Sequence, residues 1–236
     1  MSKLRRRHVL TGAALLPAAR LRPEDPKMAH VVLLGDSVLD NGAYVGGGPD
    51  VVRQVREVVP EGWRATLLAV DGSVIASLPA QLARLPRDAT HLVLSVGGND
   101  ALGASGVIDE PARSVAEALG RLADISDRFG RSYEAMLERV LAAGLPTAVC
   151  TVYDGRMPEP RRRIAVTALA ALNDRITRAV FARGAALIDL RLICAEDADY
   201  ANPIEPSVQG GAKIAAAIAA FVTGWNASER SQVLAR

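Results

Sequence analysis

The sequence predicts a three-layer α/β/α sandwich around a five-stranded parallel sheet in the flavodoxin-like order 2-1-3-4-5. Three observations lead there. Five short runs are apolar on both faces, so each reads as a strand buried between helices. Segments of helical spacing separate them, giving the alternation of a doubly wound α/β domain. Each strand run closes on Gly, Asp or Tyr-Asp, and right-handed crossovers leave few topologies for such units.

The strand runs are 30–34, 64–70, 91–96, 147–152 and 185–190. Residues 50–59 follow Gly46-Gly47-Gly48-Pro49 and end at Pro60, as a helix between the first two strands should. Residues 77–85 begin at Ser77, carry Pro79 in the first turn and stop before Pro86. Residues 111–143 carry Val115, Leu119 and Leu122, then Phe129, Tyr133, Met136, Leu137 and Val140. This is helical spacing with a predicted break near 126–130, closed by Gly144 and Pro146. The stretch 157–163, with Pro158 and Pro160, reads as a loop. Residues 161–181 then place Ala165, Leu169, Leu172, Ile176 and Val180 on one stripe. The last helix, 208–225, buries Ile214, Ile218, Phe221, Val222 and Trp225.

A chain of 236 residues fits one domain of this class. Residues 1–27 stand outside it, 28–226 form the domain and 227–236 form a tail. Within the first segment, Arg5-Arg6-Arg7 precedes an apolar stretch over 9–19, in the manner of a secretory leader with a twin-arginine-like start. The competing reading is translation from Met28, which makes the protein cytoplasmic. Hydrophobic residues are 50% of the chain and aromatics only 4%, so Val, Leu, Ile and Ala must build the core.

The net charge is +2, and no basic stripe with interleaved aromatics predicts a nucleic-acid partner. Arg161-Arg162-Arg163 reads as a solvated helix start rather than an anion site. Cys150 and Cys194 lack metal-ligand spacing and pack as small hydrophobes, with a disulfide left open. No apolar stretch is long enough to span a membrane. No feature calls for a metal, nucleotide or flavin cofactor, and the oligomeric state is left open.

Three strand ends carry glycine-rich polar signals: Gly35-Asp36-Ser37, Asp71-Gly72-Ser73 and Gly97-Gly98-Asn99-Asp100. In a parallel sheet these loops share one edge, where open α/β sheets bind ligands. A serine hydroxyl, a glycine amide and an asparagine amide then converge, the set acyl transfer needs. Asp36 either fixes the nucleophile loop or only makes its turn. Asp36, Asp40 and Tyr44 around Ser37, Asp100, and Tyr153 at the end of the fourth strand are expected to contact substrate, with Asn41 beside them lining the pocket. Asp189, ending the fifth strand, can equally be structural.

With these blocks in place, residues 29–221 resemble the SGNH, or GDSL, hydrolase family. Ser37 stands in the nucleophile position, and Gly72, Gly97, Asn99 and Asp100 match the next two blocks. The resemblance implies an oxyanion hole from the Ser37 and Gly72 N–H groups and the Asn99 side chain. The chain departs from the family at its fourth block, Asp-x-x-His-Pro. Here the stretch is Asn202-Pro203-Ile204-Glu205-Pro206, with Asn202 for Asp and Glu205 for His, and no histidine follows His91. Either burial raises Glu205 until it serves as the base, held by Asn202, or Glu205 only caps or pairs with Lys213. His91 opens the third strand, far from the active edge, and is expected to be structural.

The function expected is a serine esterase or acyl hydrolase acting on a small ester through Ser37. The alternatives are a catalytically degenerate protein that binds an ester, acyl or sugar ligand, and acyl transfer to an acceptor other than water.

Overall fold

Both faces of the first strand are apolar, and both are covered. In β1 (His30–Gly35), Val31 and Leu33 point to one side and Val32 and Leu34 to the other, and all four are fully buried. The structure is a computed structural model that describes residues 28–224 and 233–234. The predicted leader 1–27, Trp225 and most of the predicted tail lie outside the described residues. β1 pairs in parallel with β2 (Arg64–Leu67) and β3 (His91–Ser95). β4 (Thr147–Cys150) and β5 (Ala186–Ile188) follow β3, so the five strands take the predicted order 2-1-3-4-5. Val233–Leu234, placed in the tail by the sequence, adds a short parallel strand β6 beyond β5.

One layer is α1 (Val51–Val58) and α7 (Val208–Gly224), which bury Val51, Val55, Ile214, Ile218 and Phe221 against Val31, Leu33 and Ile188. Asp50 caps α1 by accepting from the Arg53 N–H at 2.8 Å. The other layer is built mainly by α4 (Val115–Leu141) and α5 (Arg161–Ala182), whose Phe129, Tyr133, Leu172 and Ile176 cover Val32, Leu34 and Leu94. The short α2 (Leu78–Leu82), entered through a 3₁₀ turn Ile75–Ser77, joins this second layer.

α4 is one continuous helix, not two segments broken near 126–130. The small residues there serve close packing on α5 instead. A Cβ on Gly130 would sit 3.1 Å from Arg175, and the Ser126 hydroxyl donates to the Ala171 carbonyl at 3.3 Å. α5 begins within the stretch read as a loop, and Arg161 at its start pairs with both carboxylate oxygens of Asp109. β2 is shorter than predicted because the chain leaves the ladder after Leu67. Leu68 and Ala69 both donate to the Leu33 carbonyl, which puts two residues opposite one.

Three short elements carried no sequence signal. α3 (Gly98–Ala104) and the 3₁₀ segment Ser105–Asp109 follow β3 directly and contain no fully buried residue. α6 (Leu190–Ile193) is a single turn after β5, capped by Asp189, which also accepts from Thr151 and pairs with Arg191. Asp189 is therefore structural. Among the described residues no helix is long and apolar enough to cross a membrane.

Candidate active site

The C-terminal end of β1 is held from three sides. Gly35 has φ +130°, and a Cβ there would lie 1.7 Å from the Ser95 carbonyl oxygen on β3, so only glycine fits. The Asp36 N–H donates to that same carbonyl at 3.0 Å. Gln81, on the buried face of α2, clamps Gly35 with both ends of its carboxamide. Its Oε1 accepts from the Gly35 N–H at 2.8 Å, and its Nε2 donates to the Gly35 carbonyl at 2.7 Å and to Ser73 Oγ at 3.2 Å. The chain then turns tightly, with Leu39 and Asp40 donating to the Asp36 carbonyl. Ser37 sits in that turn, 6% exposed, so its position is fixed by the fold.

Glu205 arrives from the loop before α7 and is as buried as Ser37, at 5% exposed. The two side chains meet. Burial pushes the Glu205 carboxyl up to about 7, a hydrogen-bonding contact with the Ser37 side chain pulls it back down, and the charge of Asp71 adds to the rise. Glu205 Oε2 is buried without a hydrogen-bond partner among the described residues. Lys213 is committed elsewhere, to Asp199 at 2.8 Å and Glu196 at 3.1 Å.

The Glu205 loop is pinned at several points. Asn202 Oδ1 accepts from the Ile204 and Glu205 N–H groups at 2.9 and 3.0 Å, an Asx turn. Asn202 thus holds Glu205 through the backbone, not through the carboxyl. The Tyr153 hydroxyl donates to the Ile204 carbonyl at 2.5 Å, and the ring packs edge-on against Tyr200. Asn41, fully buried, donates to the Pro206 carbonyl and accepts from the Val51 N–H, which ties the Ser37 turn, the Glu205 loop and α1 together.

Ser37 and Glu205 open onto a cleft of about 120 Å³ that Asp36, Asn99, Tyr153 and Asp154 also line. Asn99 Nδ2 donates to the Ser73 carbonyl at 2.9 Å, which fastens the third strand-end loop to the second and leaves its other N–H unassigned. Gly72 lies in that second loop, exposed, at φ +76°, and outside the cleft lining. Three residues expected to contact substrate do not line the cleft, because their polar groups tie loops together. Asp100 Oδ2 accepts from the Ile75 N–H at 3.0 Å, Asp40 Oδ2 accepts from the Asp71 N–H at 3.0 Å, and the Tyr44 hydroxyl donates to Asp71 at 2.7 Å.

Asp36 does more than turn the chain. Its Oδ1 accepts from the Val38 N–H at 3.2 Å, and burial pushes its carboxyl up to about 8, with the charges of Glu205 and Asp100 adding to the rise. The folded state therefore holds this proton up to about pH 8, whereas an unfolded Asp releases it near pH ~3.9. Stability from this group is complete below that lower value and is lost as the pH rises towards 8. Thermal unfolding across pH 5 to 8 should show a falling Tm in the native protein. Asp36→Asn should make that fall shallower and raise the Tm at pH 8, the remaining slope belonging to the other raised carboxyls, Glu205 and Asp100.

Neither described histidine is near this site. His30 contacts Asp88 and Thr66, and His91 stacks on Trp63 and meets Phe221 edge-on. Cys150 and Cys194 are separate buried thiols, both pushed upward by burial, so no disulfide joins them. Gln81 went unseen in the sequence, and Asn41, expected to line the pocket, does not line the cleft but binds the Pro206 carbonyl and the Val51 N–H instead. The available signal was a buried-face polar residue on a short helix, with Gln81 three residues after Leu78.

The fold is shared with solved enzymes. An extracellular lipase from Streptomyces rimosus superposes with a TM-score of 0.57 at 18% identity, over 78% of this chain and 95% of that one. A phospholipase A1 from Streptomyces albidoflavus NA297 gives 0.56 at 17% identity, over 78% and 94%. An acetylxylan esterase from Geobacillus stearothermophilus gives 0.51 at 16% identity, over 85% and 97%. At these identities the likeness is one of fold. No curated protein matches the chain. Identity comes instead from sequence: the profile of the GDSL-like lipase/acylhydrolase family matches residues 33–212, from within β1 through the Glu205 loop into α7. Since that span holds every strand end and loop that meets at Ser37, the chain belongs to the GDSL-like lipase/acylhydrolase family.

Proposed function

We propose that the protein is a serine esterase or acyl hydrolase in which Ser37 is the nucleophile and Glu205 the general base. The observation that carries this reading is the buried contact between the Ser37 side chain and a carboxyl raised to about 7. A carboxylate with that pKa is a base of nearly imidazole strength, because the unperturbed His value is ~6.5. Ser37 Oγ bonds to the ester carbonyl carbon while its proton passes to Glu205. Glu205 then returns the proton to the departing alkoxide, leaving an acyl-enzyme. Water attacks that acyl group by the same route and gives a proton to Glu205, which restores it to Ser37 Oγ.

The developing oxyanion takes the Ser37 N–H, the Gly72 N–H and the free N–H of the Asn99 amide. Supporting this, Asn99 lines the cleft beside Ser37, and its bond to Ser73 holds the Gly72 loop alongside. One such donor is worth about 3 kcal/mol in comparable enzymes. Asn202, Tyr153 and Asn41 position the base through the backbone of its loop. The substrate is a small-molecule ester.

The test is a fluorophosphonate probe, with the adduct located by peptide mass spectrometry. An adduct at Ser37 is expected. Its rate of formation should rise with pH through about 7 and then level off, since Glu205 must be deprotonated to accept the proton. No adduct above that of denatured protein would favour a site that binds an ester, acyl or sugar ligand without reacting.

A further inference from the structure

The cleft beside Ser37 has a second feature, its walls. Away from the polar end it is bounded by the 3₁₀ segment Ser105–Asp109, the first half of α4 and the first half of α5. Val107, Ile108, Leu122, Ile125, Leu169 and Leu172 face into it. On α5 the lining residues Ala165, Ala168, Leu169 and Leu172 fall at i, i+3, i+4 and i+7, one continuous stripe. Its outer side lines the cleft, while Leu172 also reaches the core beside α4. An acetyl group would leave most of that apolar wall facing water.

We propose that this cleft is the acyl-chain subsite, that it takes the straight chain of a medium-length fatty acyl ester, and that Ala168 and Ile125 set the length it accepts. The proposal rests on Ser37 as the reacting group and says which substrates it prefers. From Leu172 to Ala165 the wall runs seven residues of helix, ~10 Å at 1.5 Å rise per residue, which an extended chain of about eight carbons covers at ~1.3 Å per bond. The apolar stripe of α4 continues past Leu122 to Leu119 and Val115, which are 59% and 77% exposed. Longer chains would leave the enclosed part in that direction and gain less per carbon.

Hydrolysis of p-nitrophenyl acetate, butyrate, hexanoate, octanoate and laurate tests the subsite. kcat/KM should rise roughly fourfold per methylene up to octanoate, the equivalent of ~0.8 kcal/mol for each buried CH₂, and flatten beyond it. Ala168→Phe should lower the octanoate-to-acetate ratio at least tenfold. Ile125→Ala should move the plateau to a longer chain, and it serves as the second variant if Ala168→Phe does not fold by circular dichroism. Calorimetry with sodium octanoate and sodium acetate gives a readout independent of turnover: octanoate should bind and acetate should not. Octanoate binding with no ester turned over would overturn the hydrolase reading and uphold the subsite. Turnover with no chain-length preference, unchanged in both variants, would overturn the subsite and uphold the hydrolase reading.

Discussion

Ser37→Ala and Glu205→Gln should each lower kcat/KM for a p-nitrophenyl ester by about 10³, and the double variant should lose little more than either alone. The size follows from the two roles. A positioned general base contributes 10²–10⁴-fold, and a serine hydroxyl without one is a weak nucleophile. The lack of additivity follows because the base acts only through the hydroxyl it deprotonates. Steady-state rates of the four proteins over pH 5 to 9 check this. The native profile should climb through about 7 and reach a plateau, while the residual activity of Glu205→Gln should lose that step. A Glu205→Gln variant with native rates would remove the carboxylate from the mechanism and leave Ser37 activated by something else.

Glutamate can stand where a related enzyme would place histidine only if two conditions hold. Its pKa must lie near the working pH, and its oxygen must be available. For the proposed Glu205 base, burial beside Ile204, Tyr153 and the Ser37 turn would supply the first. The second is met because the supporting bonds all go to the loop's backbone. Asn202 takes the Glu205 N–H, Tyr153 the Ile204 carbonyl and Asn41 the Pro206 carbonyl. None of them occupies Oε2. Asn202 therefore differs from an aspartate that orients a histidine ring: a neutral amide suffices, since a second negative charge would push the Glu205 pKa higher still.

The sheet and its order were legible because five short runs such as Val31–Leu34 are mostly apolar on both faces, and a strand covered on both faces needs that. The three polar strand ends were legible for a related reason: glycine beside Asp or Asn interrupts the apolar pattern where the chain must turn. What escaped notice was whatever depends on partners distant in sequence. Gln81 looks like any surface glutamine until α2 is laid against β1, forty-six positions away, where it meets both polar groups of Gly35. α3 has no fully buried residue, so no periodicity marked it. Ser126 and Gly130 read as a helix break because their purpose, room for Arg175 on α5, exists only in the packed structure. Asp40, Tyr44 and Asp100 are polar and adjacent to the right loops, but sequence does not say which way a side chain turns. All three turn to bind other loops.

Gly35→Ala should cost at least about 4 kcal/mol of folding stability, at the extreme of single substitutions. The added carbon would lie 1.7 Å from the Ser95 carbonyl oxygen and 2.6 Å from its carbon, and φ +130° is a conformation L side chains rarely adopt. Relief by movement is blocked. β1 is paired to β2 on one side and β3 on the other, its side chains are buried on both faces, and Gln81 holds both backbone groups of residue 35. In a domain of this size, 1 kcal/mol corresponds to about 2–4 °C, so the Tm should fall by roughly 10 °C or more. Gly72→Ala is the matching control. Gly72 also has positive φ, but nothing lies within 4 Å of its added Cβ, so only backbone strain of about 1 kcal/mol is expected. Urea unfolding of both variants separates steric overlap from strain. A Gly35→Ala protein as stable as the native one would mean that β1 does not approach β3 as closely as described, and Ser37 would then lose the frame that fixes it beside Glu205.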